Sequence, residues 1–152
     1  MPPSPRITAR LDEPKFALLC ESLGLKAAPT VQIRTAASSD GGIRTLGEYH
    51  GYENVVKLFI GFSSDNLEKL RFLQGKLTIT FLHEMRHAWQ TQQWGHEAMA
   101  KARNEPYHVR RSEVDANSFA EANAHLWRNV IRVVRTQHNS NFSRLARHTR
   151  VV

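Results

Sequence analysis

The chain has 152 residues, a length that fits one compact domain, residues 1–152, and leaves little room for a second. Its apolar content of 41% is ordinary for a globular protein, and its apolar runs are far shorter than the ~20 residues needed to cross a bilayer, so no membrane span is expected. The formal net charge of +7 arises mostly after residue 100, because residues 1–100 carry nearly equal numbers of basic and acidic side chains. The excess positive charge therefore lies in the last third of the chain and is not spread over the whole sequence.

The first third of the chain predicts a loose start, one helix and several strands. Residues 1–12 contain three prolines and lack the apolar core of a secretory signal, so a loose lead-in is expected. A short helix is predicted from about Pro14 to Gly24, and it carries the single cysteine, Cys20. Because Cys20 has no second cysteine to pair with, a reducing, cytoplasmic setting is expected. The segment "TVQIRT" alternates apolar and polar residues as a strand does, and "IRTLGEYHGYENVVKLFIGF" predicts two further strands joined by a bend at residues 51–54.

The remaining two thirds predict helices. The stretch from residue 64 to Gly95 has helical character, with Gly75 as a point where it would divide in two. A connector interrupted by Pro106 follows, and the apolar spacing then predicts a last long helix from about residue 110 to about residue 135. The expected architecture is α+β, with a small, mostly antiparallel sheet packed on the first long helix and on the last one.

The C-terminal end is basic. Residues 122–152 contain six arginines and no acidic residue, so this end could contact nucleic acid or an acidic partner. It lacks interleaved aromatic side chains, a glycine-rich loop and a DNA-reading unit. A solvated basic tail from about residue 136 to residue 152 is therefore the simpler prediction, and nucleic-acid binding stays an alternative.

The strongest chemical signal is the sequence His83-Glu84-x-x-His87. In a chain of this composition, random placement of residues gives about 0.03 chance matches to the pattern per chain. A metal site is therefore a sound interpretation only if the motif also lies on a helix. On a helix, residues four apart lie about 40° apart on one face, so both histidines can reach one metal ion. Glu84 is displaced by about 100° from His83, which suits a carboxylate that takes a proton from water better than one that binds the metal.

A third ligand has to come from outside this motif. The longer pattern that would continue with glycine and histidine fails, because those positions are Gln90 and Gln93. The candidates downstream are His96, His108 and Glu113, and the surroundings of Glu113 favour it over His108, with His96 behind both.

Glu113 begins an apolar stripe on the predicted last helix that continues through Ala116, Ala120 and Ala124. A carboxylate at the end of a buried stripe needs a partner, since an unpaired buried charge costs several kcal/mol, and a zinc ion would be that partner. Asn117, one turn beyond Glu113, could orient a ligand histidine from behind. A simpler interpretation of the same segment is a helix start, with Ser112-x-x-Asp115 as a capping box.

Two segments together resemble the ImmA/IrrE-type minimal metallopeptidases, a compact branch of the gluzincins. The first is "HEMRHAWQ", and the second is "RRSEVDANSFAEA", whose matching positions are Glu113, Asp115, Ala116, Asn117, Phe119 and Ala120. The resemblance covers roughly residues 44–125. It implies a zincin-like fold, zinc ligands at His83, His87 and Glu113, and Glu84 as the general base for attack of a zinc-bound water on a peptide bond of a protein or peptide substrate.

Other assignments remain open at the level of sequence. Tyr107 and His108 precede Glu113 and are candidates, by position alone, for stabilising charge in the transition state. A SprT-like protease would use a third histidine in place of the glutamate. A catalytically inactive zinc-binding interaction domain, or a basic nucleic-acid-associated protein whose histidines are incidental, would account for the same motif without hydrolysis.

Overall fold

The computed structural model describes residues 5–38, 40, 42–106 and 110–137. Five strands and four α-helices occur there, in the order β1 (Pro5–Leu11), α1 (Glu13–Leu23), β2 (Thr30–Ala36), β3 (Arg44–His50), β4 (Val55–Gly61), α2 (Leu70–Trp94), α3 (His96–Ala102), α4 (Arg111–Asn123) and β5 (Ile131–Gln137). A 3-10 turn, Ser64–Lys69, leads into α2. The α+β class expected from the sequence is confirmed. No helix in the described ranges has the length and apolar character to cross a membrane.

The strands form two small sheets where one was expected. The first contains β1 and β5 in antiparallel pairing. The second has the order β2-β4-β3, in which β2 is parallel to β4 and β3 is antiparallel to it. Strand β3 therefore lies at one edge of the three-stranded sheet, and it packs against α2 along its length.

Two expectations about the ends of the chain are wrong, and they share one cause. Residues 5–11, expected to be loose, form β1, and the predicted last helix ends at Asn123 instead of near residue 135. Asn129 has a positive φ of 69° in the turn that follows α4, and the β-branched residues beyond it form β5. Each strand supplies the other's hydrogen bonds, from Pro5↔Gln137 to Leu11↔Ile131, so neither is recognisable alone. Residues 138–152, the rest of the expected basic tail, lie outside the described residues.

Helix α2 runs through the middle of the core. It continues past Gly75 without the expected division and ends before Gly95. Its inward face is fully buried against both sheets and α1, through Leu73, Leu77, Phe81, Leu82 and Met85. Burying a side chain of this size stabilises the fold by about 1.5–3 kcal/mol, so the helix is held firmly over the length that carries the histidine motif.

Candidate metal centre

Three side chains converge at the centre of α2 and the start of α4. The Nε2 atom of His83 lies 2.9 Å from Oε1 of Glu113, and the Nε2 atom of His87 lies 3.0 Å from the same oxygen. The two Nε2 atoms are 3.0 Å from each other, and the rings stand nearly perpendicular at 84°. One imidazole nitrogen from each histidine and one carboxylate oxygen thus point at a common position.

The spacing of these atoms fits a small divalent ion. Nitrogen and oxygen ligands at about 2.0–2.1 Å from a tetrahedral ion lie about 3.3–3.4 Å apart, so outward shifts of a few tenths of an ångström suffice here. Ligand atoms of His83, Glu84 and His87 also lie within 4.8 Å of one another, so these three residues could themselves hold a metal ion. Two carboxylates, those of Glu84 and Glu113, are therefore available beside the histidine pair.

Glu113 reaches the histidines because α4 lies close to α2. The side of α4 that faces α2 carries Ala116 and Ala120, both fully buried, and their small side chains permit a near approach of the two helices. The capping-box interpretation is wrong, because the N-cap residue is Arg110 and Ser112 is buried inside the helix. Glu113 lies in the first helical turn, where the helix dipole favours a negative charge.

Gln90 holds one histidine in the form that a metal requires. Its Nε2 group donates to the carbonyl of Ser112 at 2.8 Å and to Oδ2 of Asp115 at 2.9 Å, which leaves its Oε1 atom facing Nδ1 of His87 at 2.8 Å. An amide oxygen only accepts, so Nδ1 of His87 carries the proton. In its neutral form, the form that binds a metal, the ring then directs the lone pair of Nε2 at the position it shares with His83 and Glu113.

This role had been expected for Asn117, and that expectation is wrong. Asn117 is exposed on α4, because the inward face of the helix passes through Glu113, Ala116 and Ala120. In the sequence alone, Gln90 stands out only as the position where the longer histidine pattern would have a glycine. A signal was nevertheless available, since Gln90 follows His87 by three residues and so lies on a neighbouring part of the same helical face.

A partly buried ion pair fixes Asp115 behind Gln90. Arg86 donates to Asp115 through Nε at 2.8 Å and through a terminal nitrogen at 3.2 Å. Its guanidinium lies over the ring of Trp89, 3.7 Å from the centroid, and over that of Phe119 at 4.9 Å. Held by two hydrogen bonds and two rings, Arg86 ties α2 to α4 next to the site and limits the movement of Asp115.

Glu84 lies on the other side of the histidines, against strand β3. It is 6% exposed, and a Cβ atom at Gly47 would stand 2.6 Å from its Cγ atom and 2.9 Å from Oε2. The hydroxyls of Thr45 and Thr80, 3.1 Å apart, join β3 to α2 beside this contact. Gly47 is therefore required for space, and a glycine inside a strand is the sequence signal of such a close approach.

The two carboxylates differ in their acidity. Burial raises the pKa of Glu84 above its ordinary value, although the charges of His87 and His83 oppose this. Burial acts on Glu113 in the same sense, but the hydrogen bonds from His83 and His87 outweigh it and hold the pKa of Glu113 well below its usual range. The pKa of His87 is raised: burial alone would lower it, and the hydrogen bonds to Glu113 and Gln90 prevail. Glu113 thus has the character of a permanent anion, and Glu84 that of a group able to take up a proton.

A cleft of about 240 Å³ opens beside His87 and Glu113. The bend after β3, helix α3 and the start of α4 form its walls. His96 lies in this wall and stacks on Tyr52, with ring centroids 4.3 Å apart, so it is not among the side chains that converge on the histidine pair. Tyr107 and His108, the two other candidates from the sequence, lie outside the described residues.

Comparison of the chain with models of protein families, with curated proteins and with solved structures gives no match. The arrangement of the side chains is therefore the basis for any assignment of function.

Proposed function

We propose that this protein is a zinc-dependent metallopeptidase of the ImmA/IrrE type, with a zincin-like fold, in which His83, His87 and Glu113 hold the metal. The observation that carries the proposal is the convergence of two Nε2 atoms and one carboxylate oxygen within 3.0 Å of one another. Glu113 is assigned as the third ligand, ahead of Glu84, because its Oε1 atom contacts both histidines.

The donor set favours zinc. Two neutral imidazoles and one carboxylate, with a fourth position left open, form the ligand set of many catalytic zinc sites. Bound zinc would supply a Lewis acid that polarises a peptide carbonyl and lowers the pKa of water. Gln90 would keep Nε2 of His87 unprotonated, and Arg86 would keep Gln90 and Asp115 in place.

Glu84 would act as the general base. Its carboxylate would accept a proton from the water that attacks the peptide carbonyl, and then deliver that proton to the leaving amine. Its buried position between α2 and β3 supports this role, because a carboxylate shielded from solvent takes up a proton more readily. An extended peptide would lie along β3, the edge strand, and hydrogen-bond to its main chain.

Two measurements test the proposal. Purified protein should contain one zinc per chain, and Glu84→Gln should keep the zinc while hydrolysis of an unstructured protein such as casein is lost. Retained cleavage by Glu84→Gln would remove the base from the mechanism. Zinc without any cleavage by the unmodified protein would favour an inactive zinc-binding domain, and no zinc together with salt-sensitive binding to nucleic acid would favour the basic-protein alternative.

The third ligand has its own test. Glu113→Gln should weaken zinc binding, because the pair of histidines loses its anionic partner. Glu121→Gln is the matched control, since Glu121 is exposed on the same helix. Full zinc occupancy in Glu113→Gln would reject Glu113 as a ligand and direct attention to Glu84 and His108.

A further inference from the structure

A long groove lies beside the N-terminal half of α2, away from the cleft at His87. It has a volume of about 790 Å³ and is formed by residues 71–80 of α2 on one side and by residues 124–129, the turn after α4, on the other. We call it the α2 groove. It is lined by none of the residues assigned to the metal or to the proton, His83, His87, Glu113 and Glu84.

The floor of the α2 groove is apolar and open to solvent. Phe72 is 58% exposed and Ile79 is 37% exposed, and Ala124 faces them from the opposite side. Helix α2 packs its other face into the core, and neither Phe72 nor Ile79 belongs to the hydrophobic core or to the side chains packed against it. An apolar strip of this kind, surrounded by polar side chains, is typical of a surface that binds another molecule.

The rim of the α2 groove is basic. Arg71, Lys76, His125 and Arg128 are exposed along it, and none of the groove's described lining residues is acidic. The ion pairs among described residues do not involve any of these four side chains. The charges of Arg71, Lys76 and Arg128 are therefore available to a partner of opposite sign.

The α2 groove lies on the face of α2 that carries His83. Phe72, Ile79 and His83 follow one another at intervals of seven and four residues, so they lie on one face of α2. Eleven residues separate Phe72 from His83, which corresponds to about 16 Å along the helix axis. An extended peptide covers this distance with about five residues.

We propose that the α2 groove binds an acidic segment of the protein substrate that also carries apolar side chains, about five residues to one side of the bond that is cleaved. This inference rests on the proposed peptidase function and adds a substrate class to it. Apolar side chains of the segment would cover Phe72 and Ile79, while its carboxylates would pair with Arg71, Lys76 and Arg128.

The chemistry of the groove favours this occupant over others. A nucleic-acid strand would match the charges of the rim but would leave Ile79 uncovered, and the floor offers one aromatic ring for base stacking. A second copy of this chain has a net charge of +7, and residues 138–152 contain arginines and no acidic side chain. Neither complements a basic rim.

Binding can be measured without catalysis. The zinc-loaded Glu84→Gln protein is titrated into a fluorescein-labelled peptide of 12 residues made of Glu, Asp, Leu and Phe, and anisotropy is recorded. Two control peptides replace the acidic residues by Lys or the apolar residues by Ser, and a 12-nucleotide single-stranded DNA is the third. The acidic apolar peptide should bind most tightly, and its affinity should fall as salt is raised.

Substitutions locate the binding. Phe72→Ser should weaken the acidic apolar peptide about tenfold, because the apolar side chains lose their contact surface. Leu18→Ser is the matched control, since Leu18 is 56% exposed on α1, outside the groove. The double variant Arg71→Gln, Arg128→Gln should also weaken binding about tenfold and flatten the salt dependence, whereas Arg34→Gln, an exposed position on β2, should not.

Several results would overturn the inference. These are equal affinity for the lysine peptide, unchanged affinity in Phe72→Ser and the double arginine variant, tighter binding of the DNA through the same residues, or a dimer in solution that Phe72→Ser dissociates. The proposed peptidase function would survive any of them if the unmodified protein still cleaves an unstructured protein in a zinc-dependent manner. Conversely, loss of that function would leave the binding measurements interpretable, since they require no cleavage.

Discussion

Replacing Gly47 by alanine should impair Glu84 without removing the metal. The added Cβ would lie 2.6 Å from Cγ of Glu84, whereas Cβ contacts under 3.0 Å essentially never occur and ordinary van der Waals contact begins at 3.4 Å, so one of the two groups must move by about 0.4–0.8 Å. Cγ is in the middle of a buried side chain, and the new atom also meets Cγ2 of Thr80 at 3.0 Å, so the carboxylate cannot simply swing aside.

The expected loss follows from that displacement. A misplacement of about 1 Å in a catalytic group costs up to about 100-fold in rate, so kcat of Gly47→Ala should fall by about 10-fold to 100-fold while KM changes little. Overpacking should also lower the free energy of unfolding by about 1–3 kcal/mol. The assay combines steady-state kinetics on a peptide substrate, zinc content by elemental analysis and urea unfolding of the same preparation.

Two glycines provide controls for this substitution. Gly75→Ala on α2 meets no atom within 4 Å and should stabilise the helix by about 0.5–1 kcal/mol, so it is the control for the effect of an added methyl group on unfolding. Gly61→Ala lies in the same sheet as Gly47, and its nearest contact would be at an ordinary 3.5 Å. A Gly47→Ala protein with kcat within twofold of the unmodified one, and with normal stability, would show that β3 moves away at no cost and would refute the reasoning.

Three further predictions concern other parts of the molecule. Gln90→Leu should weaken zinc binding about 10-fold to 100-fold in competition with a chelator, because His87 loses the acceptor that fixes its tautomer, whereas Gln93→Leu, at an exposed position of the same helix, should not. Burial raises the pKa of the Cys20 thiol from 9.0 to about 11, so at pH 8 this thiol should react with a thiol reagent about 100-fold more slowly in the folded protein than in urea, and equal rates would contradict its burial. The contribution of the buried thiol to the free energy of unfolding is complete below pH 9.0 and is lost as the pH rises toward 11. Gly24→Ala should lower the free energy of unfolding by about 1–2 kcal/mol in urea titrations, because φ is 66° at this helix end, a left-handed conformation that disfavours a side chain even where nothing obstructs it. An unchanged urea midpoint would contradict the left-handed cap.

The elements that local patterns define were predictable from the sequence. Helix α1 ends at Gly24, and strands β2, β3 and β4 lie where alternation and turn residues placed them. Strands β1 and β5 were missed because each is defined by the other, 120 or more residues away in the chain. The valines and isoleucine of β5 also happen to continue the 3-4 spacing of α4, so periodicity alone extended the helix too far.

The residues of the candidate site also differ in how well local sequence patterns predict them. His83, Glu84 and His87 are recognisable because their spacing is a property of a single helix, and Glu113 because its stripe of small residues predicts a buried carboxylate. The neighbours that orient these groups left weaker signals in the sequence, namely the spacing of Gln90 from His87 and a glycine inside a strand at Gly47. Gln90 and Gly47 act through contacts across elements, and choosing Gln90 over Asn117 required knowing which face of α4 meets α2.

The pairing of β1 with β5 has a consequence for how the protein folds. Gln74 of α2 receives the main-chain N–H of Val133 and donates to the carbonyl of Ile131, so β5 is fastened both to α2 and to the first strand of the chain. During synthesis β1 and α2 leave the ribosome well before β5, and non-local pairing of this kind is slow. Until residues 131–137 arrive, part of the apolar surface around α2 stays uncovered, and chains interrupted before this point should be recognised as unfolded and degraded.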